Sequence, residues 1–560
     1  MSKADPILLS VFARAFKAIT DEMSISVQKT TRSPILCEAK DFVTGLYDAQ
    51  GNMLEQTENL PILAFSLAPV CRYIVEFFGD DIHEGDVIFH NDVFSMGNQN
   101  NDVAVYKPVF HEGKLVAWTA VKGHQADIGG AVAGGYNPTA TEVWQEALRI
   151  PPVKVVERGK LRKDVWDLIF ANIRLDIVQH DMRAQMGACN VGARRVVEML
   201  DKYGVRTFEI HKAALFDATR KMMEAEIATI PNGTYSGEGM VYFDGHHVGT
   251  EFTIRVDIKV EDKSITFDYS RTDAQTDGFV NGTFTYSDSA TILTLLQMVN
   301  PDMPHNEGMV QPIEIKIPEG TILNASYPKA TTFGNHLCPP NADAIIRALA
   351  PVIPDRVTAG WNNLLCSLTT GIDPQKNEKY VDIGFMGLKG GSGAMKGTDG
   401  YDHIGMIDAS GGLLDQDYEM FEQQTPHLLK RHEYLPDSAG AGQWRGGLGV
   451  VTDYVIGSDN TQFVTFGDGD FEPAFGLFGG KDSILNEITL TYPDGTKRVP
   501  RNKDLIMGVP KNTHYHQVAG GGGGYGDPKK RDRKKLAREI RDGIISLEAA
   551  REHYGYEGKA

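Results

Sequence analysis

The stretch that decides how this chain folds and where its chemistry lies is Asn91–Gly130. It reads NDVFSMGNQNNDVAVYKPVF up to position 110 and HEGKLVAWTAVKGHQADIGG from there to position 130. Asp102, His124 and Asp127 stand in two short polar segments, each flanked by apolar runs of β type. Polar side chains on loops that are held by rigid strands are frequent sites of catalysis or metal binding. The pattern therefore predicts that a carboxylate and an imidazole meet in a cleft.

Length and composition bound the fold and the partners. The 560 residues exceed what one hydrophobic core usually organises, so about two to four domains are expected. Hydrophobic residues make up 41% and charged residues 23%, which is typical of a folded protein, while the 59 glycines indicate many tight turns. A net charge of −18 argues against nucleic acid and anionic membranes as partners.

Cysteine usage and the N-terminus favour a cytoplasmic protein. The five cysteines are widely spaced without a CxxC pair, which indicates reduced, buried thiols. Arg14 and Lys17 interrupt the N-terminal apolar run, so no signal peptide is predicted. No apolar run approaches the roughly 18 residues of a membrane span. The sequence therefore predicts no transmembrane helix.

The pattern along the chain predicts a mixed α/β (α+β) protein of several domains. Asp5-Pro6 is typical of a helix start, and Ile62 to Phe78 favours one further helix. We expect an N-terminal α/β domain with the candidate site at 1–230, a β-rich α+β domain at 231–370, a glycine-rich β domain at 371–527 and a helical tail at 528–560.

Spacing alone leaves the role of the polar segments open. Asp102 and His124 each stand at the end of a predicted strand, where a histidine is suited to metal binding or to general base catalysis. A hydrogen-bonded histidine in a polar turn is the commoner alternative. Asp127 is either a ligand or catalytic group, or it caps a turn.

A nucleotide site is not supported by the sequence. Asp127-Ile-Gly-Gly is similar to the phosphate loop of actin-like ATPases, but Ala131-Val-Ala follows where that loop needs a hydroxyl residue. GxxxxGK[ST] is absent, and the five glycines at 520–524 precede no lysine-bearing helix. We therefore expect a flexible or close-packed turn at these glycines and no ATP binding by this chain alone.

Other polar features carry weaker signals. His336 lies beside a proline turn, and His514 and His516 form an HxH pair that a strand would place on one face. Exposed or core-packed histidines are the commoner explanation. The basic run Lys529–Lys535 favours a solvated face or a contact with another chain. GxSxG is absent, and no cysteine has the context of a nucleophile, so a serine or cysteine hydrolase is not indicated.

The chain resembles the hydantoinase B/oxoprolinase family over nearly its whole length. The resemblance rests on a series of motifs in family order: Lys40-Asp-Phe, Asn91-Asp-Val-Phe, Gly123-His-Gln-Ala-Asp-Ile-Gly-Gly, Leu148-Arg-Ile-Pro-Pro, Asp181-Met-Arg-Ala-Gln, Gly440-Ala-Gly-Gln-Trp-Arg-Gly-Gly and Gly520–Pro528. It implies a hydantoinase B-like fold. Members are subunits of ATP-dependent hydantoinases, oxoprolinases, lactamases, and acetone and acetophenone carboxylases.

The resemblance also implies a partner. A hydantoinase A-like subunit carries an actin-like ATP site in these enzymes and phosphorylates a carbonyl or enol oxygen of the substrate. The missing nucleotide motif fits this division, because ATP chemistry is then expected on the partner. Further small subunits are compatible with the resemblance, and a carboxylase complex would also use bicarbonate.

The resemblance implies a divalent metal, zinc or manganese, held by four positions. These correspond to Asp41, Gln99, Asp102 and His124. Gln99 stands where several members have histidine, and its neutral amide oxygen is a poor ligand for imidazole-preferring ions. Either a weak site or a metal-free site follows, and in the second case Asp102 and His124 remain for acid–base work.

The glutamine at position 99, in place of the histidine of several family members, bears on whether the reaction is amide hydrolysis or carboxylation. A ring-opening amidase benefits from a well-held metal that activates water, whereas a carboxylase must exclude water. We therefore expect a subunit of an acetophenone carboxylase-like ketone carboxylase, with Glu142 and Arg149 supporting the site. The alternatives are a subunit of a hydantoinase, oxoprolinase or lactamase that hydrolyses a cyclic amide, and a structural subunit whose site has decayed.

Overall fold

The computed structural model describes residues 4–558 as a mixed α/β protein of several sheets, as predicted. The helices are α1 Pro6–Thr30, α2 Pro34–Cys37, α3 Pro61–Ala64, α4 Leu67–Phe78, α5 Lys163–Phe170, α6 Asp176–Tyr203, α7 Val205–Ile227, α8 Phe284–Leu296, α9 Glu307–Val310, α10 Cys338–Leu349, α11 Phe385–Leu388, α12 Tyr418–Gln424, α13 Arg533–Arg541 and α14 Leu547–Tyr554. The domain boundaries at 230, 370 and 527 remain a prediction.

A seven-stranded antiparallel sheet carries the Asn91–Gly130 stretch. Its strands are β1 Phe42–Asp48, β2 Met53–Gln56, β3 Val87–His90, β4 Asp102–His111, β5 Lys114–His124, β6 Val153–Glu157 and β7 Lys160–Leu161. They lie in the order β2-β1-β5-β4-β3-β6-β7. Helices α1 and α6 pack together, and α6 covers β4 and β5. The long central strands are thereby buried, and only their ends are available for a site.

Three smaller sheets follow. The second sheet has β8 Gly233–Tyr242, β9 Glu251–Glu261, β10 Ser264–Asp268 and β11 Ile313–Lys316, with α10 packed on β8 and β9. The remaining strands are β12 Leu365–Asp373, β13 Glu378–Ile383, β14 Leu428–Tyr434, β15 Val450–Val455, β16 Thr461–Gly467, β17 Glu487–Thr491, β18 Lys497–Arg498, β19 Asp504–Val509 and β20 His514–Ala519. They form the sheets β13-β12-β16-β19 and β14-β15-β20-β17-β18.

The first helix begins as the sequence predicts. Asp5 accepts hydrogen bonds from the backbone N–H groups of Ile7 and Leu8, and Pro6 occupies the first turn. At the other long helix, Gly204 caps the end of α6 with φ of 79°, a conformation that favours glycine. Capping chemistry therefore set these two boundaries.

The single helix expected from Ile62 to Phe78 is broken into α3 and α4. Ser66 lies at the break, where its hydroxyl donates to Leu63 O at 2.6 Å and contacts Lys122 Nζ at 2.6 Å. By length and composition the stretch Pro61–Phe78, with mean hydropathy of 1.5, could cross a membrane, contrary to the sequence expectation. Its 61% burial inside the protein and its break at Ser66 are those of a core element.

The five glycines at 520–524 form a close-packed turn, one of the two expected alternatives. All five are buried, and a Cβ atom at Gly522 would overlap the carbonyl oxygen of Ser392. A Cβ at Gly446 would in turn overlap Gly522 O. Backbone segments from three parts of the chain meet here at distances that only glycine permits.

The basic run Lys529–Lys535 is not a wholly solvated face. Arg531 is 2% exposed, donates to both carboxylate oxygens of Asp399 and forms an ion pair with Glu539. The side chain docks the C-terminal helices onto the glycine-rich region, because a buried guanidinium requires such partners.

A candidate acid–base site at the ends of two paired strands

Strand register brings Asp102 and His124 together. Asp102 opens β4, His124 closes β5, and the two residues are directly opposite in the antiparallel pair. His124 Nδ1 lies 2.8 Å from Asp102 Oδ1. Both side chains are buried, with His124 4% and Asp102 1% exposed. The carboxylate–imidazole contact expected from the strand ends is therefore present.

Amide and lysine side chains hold the second oxygen of Asp102. Asn98 donates to Asp102 Oδ2, and the Asn98 Oδ1 accepts from Lys122 Nζ at 2.9 Å. Lys122 also contacts the Ser66 hydroxyl, and burial lowers the pKa of Lys122 to about 7. Asp102 is thus fixed by a hydrogen-bonded network and not only by its partner imidazole.

Gln99 belongs to the same network through both ends of its amide. Its Nε2 donates to Thr332 O at 2.6 Å, and its Oε1 accepts from Asn335 Nδ2 at 2.5 Å. Asn335 Nδ2 also lies 3.4 Å from Asp102 Oδ2. The amide oxygen that would have to serve as a metal ligand is therefore already engaged.

Asp41 is the third ionisable group of the site. His124 N donates to Asp41 O at 3.1 Å, which joins the backbones of the two residues, and Asp41 Oδ1 is buried with no hydrogen-bond partner among residues 4–558. Burial raises the pKa of Asp41 to about 7; His124 opposes the rise, while the charges of Asp102 and Asp408 add to it. This carboxyl can therefore hold a proton near neutral pH.

The imidazole of His124 has one committed and one free nitrogen. Burial alone would lower its pKa, but the hydrogen bond to Asp102 and the charges of Asp102 and Asp41 outweigh burial and raise the pKa. With Nδ1–H donating to Asp102, Nε2 is the basic nitrogen of the neutral ring. Within the described chain Nε2 has no hydrogen-bond partner.

The donor set does not match the expected metal site. A metal site needs at least three His, Cys, Asp or Glu side chains with ligand atoms close to one another. Within residues 4–558, His403, Asp415 and His432 bring such atoms within 4.8 Å of one another, whereas Asp41, Asp102 and His124 do not. The nitrogen and oxygen that join His124 to Asp102 are spent on each other, and the Gln99 amide is spent on Asn335. The zinc or manganese expected from the resemblance therefore carries no step of the proposed chemistry.

Asp127 takes the structural alternative that the spacing left open. It accepts from Arg174 N at 2.8 Å and pairs with Arg174 Nη1 at 3.0 Å. Its oxygens also face the backbone N–H groups of Gly129 and Gly134. These contacts order the loop after β5, and none of them reaches His124, so the predicted catalytic role of Asp127 has no support in its contacts.

Glu142 and Arg149 lie outside the acid–base site. Glu142 begins a short 3-10 helix at Val143–Gln145 and pairs through its backbone with Lys329. Arg149 forms a two-point ion pair with Asp92, at 2.9 Å for each bond, and stacks near the rings of Phe94 and Tyr327. Their expected supporting role is at most indirect.

The other histidines considered in the sequence analysis, His336, His514 and His516, have different surroundings. His336 joins the site, since its Nε2 lies 3.3 Å from Tyr136 OH, which in turn faces Gln99. His514 and His516 share a face as predicted, and both approach Asp453 on the neighbouring strand.

Sequence reasoning missed several members of the site. They are Ser66, Asn98, Lys122, Tyr136, Asn335 and Asp408. The one local signal was Lys122, a charged residue inside an otherwise apolar strand that ends at His124. Asn98 lies four residues before Asp102 without a recognisable motif, and Ser66, Tyr136, Asn335 and Asp408 come from other segments, so no spacing could indicate them.

Comparison with known proteins agrees with this architecture. The family model for hydantoinase B/oxoprolinase matches residues 5–528. The beta chain of the caprolactamase of Pseudomonas jessenii is 35% identical over 99% of this chain and 96% of its own length. The crystal structure of that organism's ATP-dependent caprolactamase has a TM-score of 0.93 at 34% identity, covering 100% of this chain and 97% of the other.

Two further relatives have different names. The B component of a putative D-/L-hydantoinase of Pseudomonas sp. strain NS671 is 29% identical over 99% of this chain and 95% of its own length. A nucleotide-free acetone carboxylase structure has a TM-score of 0.88 at 20% identity, covering 98% of this chain and 79% of the other, which shows a shared fold. The chain belongs to the hydantoinase B/oxoprolinase family.

Proposed function

We propose that this chain is the B-type component of an ATP-dependent enzyme that hydrolyses a cyclic amide, a lactam or a hydantoin. Two relatives that match almost the whole chain are named as subunits of a caprolactamase and a hydantoinase. The ATP site is assigned to a partner of the hydantoinase A type, because this chain has no phosphate-loop motif. The partner activates the amide, and this chain completes the ring opening.

The observation that carries the proposal is the His124–Asp102 pair with its free Nε2 beside a carboxyl of raised pKa. Amide hydrolysis requires a base that takes a proton from water and an acid that protonates the leaving nitrogen. Asp102 fixes the ring tautomer, so that His124 Nε2 is the basic atom. Asp41, whose pKa is about 7, supplies the acid.

The proton transfers follow from these assignments. A water molecule attacks the activated carbonyl carbon while its proton passes to His124 Nε2. The carbon–nitrogen bond of the ring then breaks, and Asp41 donates its proton to the ring nitrogen. The phosphoryl group that the partner placed on the carbonyl oxygen stays on the opened product as an acyl phosphate, and a second water molecule releases it as phosphate to leave the carboxylate. A proton passed from His124 to Asp41 restores the starting state. Asp102 stabilises the imidazolium between the two steps, as an adjacent carboxylate does for any protonated imidazole.

A groove with both apolar and charged lining lies next to the site. Its volume is about 970 Å³, and its lining includes Ile35, Ala126 and Phe385 together with Arg174 and Lys379. Ala126 follows His124 by two residues, and Ile35 O accepts the backbone N–H of Asp41. We assign the approach of the substrate to this groove. The cleft of about 550 Å³ at Arg149 is lined by other loops and includes neither Ile35 nor Ala126.

Ketone carboxylation, the first expectation from the sequence, becomes the second candidate. Its case rested on Gln99 as a lost metal ligand. The hydrogen bonds of that amide to Thr332 and Asn335 are compatible with either reaction, and the acetone carboxylase likeness extends to fold alone. The relatives with the higher identity act, by name, on cyclic amides.

The test uses the chain purified from its source cells with its bound partner. ATP consumption and products are measured with a panel of lactams and hydantoins, and separately with aromatic and aliphatic ketones in ¹³C-bicarbonate. Ring-opened amino acids formed with ATP consumption are expected. A product that retains the ¹³C on a ketone carbon would establish the carboxylase instead. Inactivity of an ATP-competent complex in both panels would favour the structural role.

A further inference from the structure

A second cluster of ligand-type side chains lies outside the acid–base site. His403 Nε2 is 2.5 Å from Asp415 Oδ2, and the ring centroids of His403 and His432 are 5.0 Å apart at an interplanar angle of 84°. One ligand atom from each of the three residues lies within 4.8 Å of the others. Three positions between residues 403 and 432 thus converge on one point.

His432 is oriented as a ligand by its own strand. It lies on β14 directly opposite Thr452 of β15, and its Nδ1 is 3.0 Å from Thr452 Oγ1. Nε2 is buried and has no hydrogen-bond partner in the part of the chain from 4 to 558. Metal-bound histidines commonly use one ring nitrogen for such an outer hydrogen bond and the other for the ion.

The other two residues are also held in place. His403 adopts a left-handed backbone with φ of 48°, which a residue other than glycine rarely does without a compensating contact. Lys389 Nζ pairs with Asp415 Oδ1 at 3.2 Å, so Oδ2 remains for the histidine side of the cluster. The lysine balances the charge of a carboxylate that faces two imidazole rings.

We propose that His403, Asp415 and His432 bind one divalent cation of the zinc type, with water completing the coordination. Two imidazole nitrogens and one carboxylate oxygen are a common zinc donor set, with bonds of about 2.1 Å. Ligand atoms in a tetrahedral site lie about 3.4 Å apart, so a modest closing of the cluster is sufficient. The partial exposure of all three side chains leaves a path for the ion and for water.

The location gives this cation a structural task. The segment that follows His403 carries Asp408, whose charge raises the pKa of Asp41, and it reaches Ala39 O through Leu414 N at 3.5 Å. A cation at the cluster fixes both ends of this segment, His403 and Asp415, to strand β14. It therefore secures the loop that lies against the acid–base site.

The test is a Zn²⁺ titration of the full-length chain after removal of metals with a chelator. The wild-type chain is expected to bind one Zn²⁺ more than His403→Ala or His432→Ala, with affinity at the cluster lowered at least 100-fold in each. Co²⁺ should give visible ligand-field absorption that both variants lose. His514→Ala, which removes an exposed histidine paired with Asp453, is the matched control and should titrate like wild type. His124→Ala shows whether the acid–base site contributes an equivalent.

Two conservative variants keep the test independent of folding. Asp415→Asn retains the shape of the side chain and should weaken Zn²⁺ binding. Lys389→Met removes the competing ammonium group and should tighten binding about tenfold by the ordinary size of a nearby charge effect. Equal Zn²⁺ stoichiometry in wild type and in the folded Asp415→Asn, His403→Ala and His432→Ala chains would overturn the proposal. So would a wild-type chain that binds no Zn²⁺ at the cluster.

Discussion

The two clusters of histidine and aspartate in this protein differ in how their polar atoms are committed. At Asp102 and His124 the side chains are buried and bond each other, and Asn98 holds the second oxygen of Asp102, while His124 Nε2 has no hydrogen-bond partner within residues 4–558. At His403, Asp415 and His432 the side chains are partly exposed, and one imidazole nitrogen of the ligand set is free on the side facing the others. A buried pair in which the carboxylate fixes the imidazole is suited to moving a proton, whereas a partly exposed triad is suited to holding an ion. The same residue types therefore serve different chemistry through their neighbours.

The largest expected effect is the loss of the base at the buried pair. His124→Ala in the complex should lower kcat for ring opening by about 10³-fold, the size of a lost general base. His111→Ala is the matched control, because His111 also bonds an aspartate, Asp201, at 3.0 Å but lies at the opposite end of strand β4 from Asp102. Steady-state rates of the two complexes provide the comparison. Equal rates in the two variants would remove His124 from the chemistry.

Asp102→Asn should act through the imidazole. A carboxylate beside a histidine favours the protonated ring and raises its pKa, so removing that charge lowers the pKa of His124. The rising limb of the pH profile of kcat/KM should then move to lower pH, while kcat falls about 10²-fold. A full pH–rate profile measures both. An unmoved limb would mean that another group controls the base.

Asp41→Asn should stabilise the fold while it impairs activity. Because burial raises the pKa of Asp41 to about 7, the folded state binds the proton more tightly, and stability falls as pH rises from about 4 to about 7. The neutral amide removes this cost, so the variant should be more stable at pH 8 by on the order of 1–3 kcal/mol and nearly unchanged at pH 4. Chemical denaturation at the two pH values measures the difference. A variant destabilised equally at both values would contradict the assignment.

Gln99→His tests whether the site at Asp102 and His124 can be made to bind a metal ion, as is proposed for His403, Asp415 and His432. The substitution breaks the bonds to Thr332 and Asn335, which should cost about 1–2 kcal/mol of stability. It also adds an imidazole beside Asp41, Asp102 and His124, so an additional Zn²⁺ should bind. Titration in a His432→Ala background isolates that ion, with Gln99→Ala as the control. If the Gln99→His chain binds no additional Zn²⁺, the hydrogen bonds of Asn98 and Asn335 to Asp102, and not the absence of a histidine at position 99, prevent metal binding.

The sequence predicted the sites unevenly. The pairing of Asp102 with His124 followed from strand ends, and the helix that begins after Asp5 followed from capping chemistry. The break at Ser66 could not be predicted, since it depends on Lys122 of another element. Asn335 and Asp408 were invisible for the same reason. The triad was missed because His403, Asp415 and His432 lie in separate loops and strands without a ligand motif.

The central claim, that this chain performs the ring opening after its partner has consumed ATP, is tested most directly by a single turnover of the complex. Wild type and His124→Ala are mixed with one equivalent of ATP and excess cyclic amide, and ADP and ring-opened product are quantified together. The variant is expected to form ADP with wild-type amplitude but to release ring-opened product at least 100-fold more slowly. Ring opening at the wild-type rate in the His124→Ala complex would contradict the claim.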